Sequence, residues 1–240
     1  MTAAVAAVWA PARTGTYWYV KEIWSQPGYQ ETDEIWTPHS GNPEWIWAGK
    51  KTNDRVVKIP VTPGFGLAGA PGTFRQLELM PPQPQRVIKA RQRLIKARRS
   101  LHGSVPGMVT FGQLQKLPAN PAALKAWIVA FNRNFLRNGG GVGPAHLGVF
   151  LSLTNLVAVL PAPPGVRAAA FRALATLPDV TSLGPVQGGQ GLRLALGGNK
   201  HATLVVNTAT SQVRDILTVT GVGGEVSRVS VTAHWVNRLP

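Results

Sequence analysis

The sequence predicts an α+β domain in which a curved antiparallel sheet packs on a few helices, and three observations lead there. The first fifty residues are crowded with aromatic and β-branched side chains. The middle of the chain carries apolar residues at helical spacing between recognisable caps, and the chain after Pro178 alternates at the two-residue period of strands. Strands, then helices, then strands give two strand sets that can join into one sheet curled over the helical middle. At 240 residues the chain is long enough to bury a full core, so a single domain over 1–240 is expected, with 1–12 as its edge.

Trp9, Trp18, Trp24, Trp36, Trp45 and Trp47 are interleaved with Tyr17, Tyr19, Val20, Ile23 and Ile35, a composition suited to pleated strands. Turn signals at Gln26-Pro27-Gly28 and Ser40-Gly41-Asn42-Pro43 divide the region into a meander of Tyr17 to Ser25, Glu31 to Thr37 and Glu44 to Lys50, with a fourth strand from Arg55 to Ile59. In the middle, Asn120 is an N-cap and Pro121 a first helical residue. Leu124, Trp127, Ile128, Phe131 and Phe135 then form one stripe before Asn138 and its glycines end the helix. A second helix begins near Pro144 and runs to Leu160. Its apolar residues cover nearly its whole circumference, so it should lie inside the protein; His146, Ser152, Thr154 and Asn155 interrupt the run and argue against a membrane span. A third starts at Pro164 and stops at Pro178, with Arg167 and Arg172 on its polar side. Strands then follow around Leu192 to Leu196, Leu204 to Val206, Val213 to Val219 and Val226 to Trp235. In the last of these Val229, Val231, Ala233 and Trp235 face one way and Ser230, Thr232 and His234 the other.

Composition narrows the chemistry. Cysteine is absent, which removes disulfides, thiolate nucleophiles and thiolate metal sites together. His39, His102, His146, His201 and His234 have no ligand spacing, so neither a metal nor another cofactor is expected. No nucleophile elbow occurs. Glu22, Glu31, Asp33, Glu34 and Glu44 include pairs that a glycosidase would need, but they read as solvated acids where strands turn. Gly139-Gly140-Gly141 lacks the residues of a phosphate loop and reads as a flexible connection. The chain is read as a non-enzyme.

Two segments carry a resemblance. Leu117-Pro118-Ala119-Asn120-Pro121-Ala122-Ala123-Leu124, within Leu114 to Ile128, is similar to an L-P-T-D-P-x-x-L signature, and Pro163 to Val180 resembles a P-P-x-x-R-A-A-x-[YF]-R-A-L-A-x-L-P-x-V segment. Both occur, in this order, in the extracytoplasmic part of an uncharacterised actinobacterial family of membrane-anchored proteins often encoded beside sigma factors. The resemblance implies a half-barrel like that of the lipoprotein carriers. It also implies an extracytoplasmic location, anchorage to the cell membrane in the full-length protein, and a binding or sensing role. Ala119-Asn120 stands where that signature has Thr-Asp, which keeps the capping oxygen.

Two sets of binding residues follow. Six tryptophans in fifty residues exceed what one face of a short meander can bury, so Trp18, Trp24, Trp36 and Trp47 are expected to line an apolar concavity for an acyl chain, a hydrophobic peptide or an envelope protein. The second set lies in the basic run from Arg86 to Arg99. There Arg86, Lys89, Arg93, Lys96 and Arg99, on a chain of net charge +15, would contact an anionic membrane surface. The alternative function is a nucleic-acid or anionic-polymer binder centred on that run. Nucleic acid is the less favoured partner, because no aromatic residues are interleaved with these cations. Oligomeric state is not legible.

Overall fold

The computed structural model describes residues 15–26, 29–38, 46–51, 65–66, 108–137, 145–197, 200–207, 213–220 and 226–238. The elements among them are strands β1 (Tyr17–Gln26), β2 (Tyr29–Pro38), β3 (Ile46–Lys51), β4 (Phe65–Gly66) and β5 (Met108–Val109), then helices α1 (Phe111–Gln115), α2 (Pro121–Arg137), α3 (Ala145–Ala158) and α4 (Pro164–Leu174). Strands β6 (Val180–Val186), β7 (Gly189–Gly197), β8 (Lys200–Val206), β9 (Val213–Thr220) and β10 (Val226–Val236) complete the order. The fold is α+β, as its order of elements predicts. The strand expected at Arg55 to Ile59, the basic run, the glycines at 139–141 and the segment 1–12 lie outside the described residues.

Eight strands form one antiparallel sheet in the order β3-β2-β1-β10-β9-β8-β7-β6, and β4 pairs with β5 in a separate two-stranded ribbon. The large sheet is not closed into a barrel: β3 and β6 are its two edges. Two sequential meanders, one from each end of the chain, meet where β1 pairs with β10 from Tyr17↔Val236 to Ser25↔Arg228. The backbone N–H of Thr16 extends the seam by donating to Asn237 Oδ1 at 3.3 Å.

Helices α2, α3 and α4 pack on one another, and α3 lies against β9 and β10. One cluster of buried side chains runs through these helices and strands β1, β7, β8 and β10, from Trp18 and Val20 through Leu124, Ile128, Leu153, Leu156 and Leu174 to Leu192, Leu204 and Val229. On β7, Leu192 and Leu194 are buried while Arg193 and Ala195 are exposed, and they stand opposite Leu204 and Ala202 of β8. This is the two-residue alternation of a sheet with one covered face. Each large side chain taken fully from water contributes about 1.5–3 kcal/mol.

Local chemistry sets the helix ends. Asn120 Oδ1 accepts from the backbone N–H groups of Ala122 and Ala123 at 3.0 and 3.1 Å, and Asn120 O accepts from Leu124 N at 2.9 Å. Asn120 is therefore the N-cap of α2, as its side chain and position predict. Helix α1 is an element that the apolar periodicity did not announce, since five residues are too few to show a stripe. Its signal is a capping box: Gln113 N donates to Thr110 Oγ1 at 3.2 Å and Thr110 N to Gln113 Oε1 at 2.7 Å. Strand β6 was likewise hidden by Gly184 and Pro185, which mark its bulged position at the sheet edge. At the start of β7, Gly189 has φ +154°, and a Cβ there would stand 2.0 Å from Val206 O, so only glycine fits. Replacing Asn120 by alanine is expected to lower unfolding stability by about 1 kcal/mol in denaturant titration, with Asn120→Asp close to neutral.

Candidate functional site

Strand parity divides the side chains of β1 between two environments. Trp18, Val20 and Glu22 turn to the helical side and are all buried; Tyr19 and Lys21 turn to the other. Opposite the first set on β10 stand Trp235, Ala233 and Val231. The Trp18 ring meets Trp235 edge-on at 5.2 Å, and Trp235 meets Phe111 of α1 edge-on at 5.6 Å, so an aromatic ladder closes one end of the interior.

The same interior holds the C-terminal end of α3, where the last carbonyls of a helix have no intrahelical donors. Trp18 Nε1 donates to Val159 O at 2.6 Å, and a guanidinium nitrogen of Arg167 donates to Val157 O at 2.8 Å. A cation at this end also complements the helix dipole. Burial pushes the Arg167 guanidinium down to about 10, still charged at neutral pH. Arg167, expected on the solvent side of its helix, instead reaches inward to cap α3; Arg172 is the exposed one. The reason is the all-apolar helix next to it, whose end needs a donor that water cannot supply.

Helix α3 carries three polar residues with no exposure at all, Ser152, Thr154 and Asn155. Ser152 Oγ and the Asn132 amide of α2 exchange two hydrogen bonds of 3.2 Å. Gly148, Ser152 and Asn155 form one stripe of α3, and a Cβ at Gly148 would stand 3.4 Å from Asn132 Nδ2, so the stripe runs along α2. One turn beyond the Asn132–Ser152 pair, Asn155 Oδ1 and Nδ2 have no hydrogen-bond partner among the described residues, and neither has Thr154 Oγ1. Nearby in sequence are Leu153, Leu156 and Val157, all fully buried. A fully buried amide with neither end paired is uncommon in a folded interior.

On the opposite face of the sheet, Tyr19 lies 5.1 Å from Trp36 and 5.1 Å from His234, ring centre to ring centre. Its hydroxyl donates to Glu34 Oε1 at 2.7 Å, and Lys21 Nζ stands 3.7 Å from the same oxygen. Burial, with the hydrogen bond and charge of Glu34, holds the Tyr19 phenol well above its ordinary value.

Of the four tryptophans expected to share one hollow, the two with described side chains do not share a face. Trp18 and Trp36 are both buried but lie on opposite faces, because Trp36 stands opposite Tyr19 rather than Trp18 in the register. Trp24 stands opposite Val229 and Glu31, and Trp47 opposite Ile35; their side chains lie outside the described residues, as do Arg86, Lys89, Arg93, Lys96 and Arg99. Four of the acids read as solvated turn residues, Glu22, Glu31, Asp33 and Glu34, stand within β1 and β2 instead: Glu22 is 1% exposed in the middle of β1 and Glu34 accepts a hydrogen bond from Tyr19, while Glu44 lies outside the described residues. Asn132, Thr154, Asn155 and Arg167 are the residues that the sequence reading passed over as a site. The signal was the Ser152-Leu153-Thr154-Asn155 interruption of an otherwise apolar helix.

Among the described residues no three His, Asp or Glu side chains gather as a metal site, and no helix is long and apolar enough to cross a membrane. Comparison with family models, curated proteins and solved structures returned no match.

Trp18→Phe keeps most of the ring but leaves Val159 O without its donor, and is expected to cost about 2 kcal/mol in denaturant unfolding. For Tyr19 the folded state favours the neutral phenol, so its contribution is complete below the unfolded value of about 10 and is lost as pH rises above it. Stability measured from pH 8 to 12 is therefore expected to fall more steeply for the natural chain than for Tyr19→Phe.

Proposed function

We propose that this chain is a non-catalytic, extracytoplasmic binding or sensing domain. It takes an apolar ligand, or an apolar segment of an envelope partner, with one polar group into the helical layer beside Asn155, and reports occupancy to a membrane-anchored regulator. The observation that carries the reading is Asn155, fully buried with neither amide atom paired among the described residues, beside the equally unpaired hydroxyl of Thr154. Leaving such groups unmet costs about 1–3 kcal/mol each. A polar ligand group would recover that loss, while the leucines and valines around it favour an acyl or otherwise apolar body.

The resemblance noted above supports the same reading. Its first segment runs from the end of α1 into the first half of α2, and its second spans α4 to the start of β6. The two flank α3, and Arg167, the first arginine of the second segment, caps that helix. The open sheet, with helices on one face, is compatible with a half-barrel of the lipoprotein-carrier kind, and we extend the proposal to that form.

The test is Asn155→Leu, which keeps the side-chain branching and heavy-atom count while removing both polar atoms. The variant is expected to unfold at higher denaturant concentration than the natural chain, because an unpaired amide has been removed. It is also expected to bind long-chain fatty acid about tenfold more weakly in displacement of a neutral naphthylamine probe. Unchanged fatty-acid affinity in Asn155→Leu would sink the reading. So would binding only of polyanions with steep salt dependence, which is the behaviour of the alternative centred on Arg86 to Arg99.

A further inference from the structure

The ten acidic residues of the chain are Glu22, Glu31, Asp33, Glu34, Glu44, Asp54, Glu78, Asp179, Asp215 and Glu225, so residues 79–178 contain none. That stretch includes the whole helical layer, and none of its helices has an acid in its first turn. The charges of the layer, Lys116, Lys125, Arg133, Arg137, Arg167 and Arg172, are all of one sign. Arg167 is spent internally on α3. Lys116, Arg133 and Arg172 are exposed and Lys125 is half-buried.

The outward side of α2 has a particular texture. Ala122, Ala123, Ala126 and Ala130 are exposed, giving a largely apolar surface on which Arg133 and Asn134 are the exposed polar side chains. At its margin Trp127 and Phe131, one turn apart, stack at 5.1 Å with their planes within 14°, each only partly buried against the core. Arg172 extends the surface onto α4: it lies two turns after Gly165 on one stripe, and a Cβ at Gly165 would stand 3.3 Å from Ala119 Cβ at the foot of α2.

We infer that this face, formed by α2 with Arg172 of α4, docks on an anionic phospholipid surface. The combination is what a bilayer interface selects. Cations meet the headgroup phosphates, a tryptophan and a phenylalanine sit at headgroup depth, and a smooth alanine surface lets the helix lie close against the lipid. A nucleic acid or wall polyanion would instead be met by hydrogen-bond donors across the face, whereas on α2 Arg133 and Asn134 stand among four exposed alanines that supply none. The surface is separate from the interior around Asn155 and holds whatever that interior binds. Its effect is to lay the helical layer against the membrane and leave the outer face of the sheet, with Tyr19 and His234, turned away.

The experiment is sedimentation of the full chain with phosphatidylcholine vesicles, with and without 30% phosphatidylglycerol. Binding is expected only to the anionic vesicles, weakening as salt rises, and K125E/R133E/R172E is expected to lower the partition coefficient at least tenfold. These side chains reach solvent, so the triple variant should keep the circular dichroism and thermal midpoint of the natural chain. Three equivalent reversals in the basic run, R86E/K89E/R93E, are the matched control and should reduce partition less. W127A is expected to reduce partition even at high salt, where the charges are screened. Equal loss in the two triple variants would overturn the proposal by assigning the effect to net charge. Equal binding to neutral vesicles, or retention of a nucleic acid duplex but of no vesicle, would overturn it too.

Discussion

Strand β1 has β2 on one side and β10 on the other, so the first meander of the chain is completed by the last strand in it. The loop closed by that pairing contains nearly every other residue, and closing it carries an entropy cost that grows only slowly with length. Nine consecutive register pairs, from Tyr17↔Val236 to Ser25↔Arg228, offset that cost. The seam also sets which side chains of β1 face the helices. A shift of one residue would turn Trp18, Val20 and Glu22 outward and bring Tyr19 and Lys21 inward.

The helical side depends on the seam because α3 is apolar on nearly all sides. A helix of that kind is stable only when enclosed, and here α2, α4 and the sheet enclose it. Enclosure leaves its C-terminal carbonyls out of reach of water, and two side chains from distant parts of the chain, Trp18 and Arg167, supply the donors. Holding α3 in this way fixes where its polar stripe falls. Ser152 finds Asn132, while Asn155 one turn on does not find a protein partner among the described residues. The interior thus has a polar point set by the packing of its surroundings, and that is the property a binding site for an amphiphile requires.

The two faces of the fold divide the electrostatic work. The acids that are structurally described along β1 and β2 belong to the sheet, where Glu34 binds Tyr19 and Lys21. The helical layer is cationic throughout and partly aromatic at its surface. The strands carry cations as well as acids, so the helical layer is the purely cationic side, and approach to an anionic surface would be oriented as well as accelerated.

Much of the architecture was legible residue by residue. The Asn120-Pro121 cap, the Leu124–Ile128 stripe, the all-round apolar run of α3 and the Val229–Trp235 alternation each follow from short-range stereochemistry. Each appears where the sequence places it. Helix α1 and strand β6 were not legible, because five residues show no period and a Gly-Pro pair obscures a strand. The site was harder to read. Four tryptophans close in sequence looked like one lining, yet the β1–β2 register puts Trp18 and Trp36 back to back. Arg167 looked solvated on its own helix, and only the neighbouring end of α3 explains why it turns inward. The sequence by itself determined the elements and their amphipathic faces, since these depend on neighbours within about one turn or one pleat. Only the tertiary structure decided which strand completes the sheet, which aromatic residues meet and which polar group is left without a partner, because those outcomes rest on contacts between residues far apart in the chain.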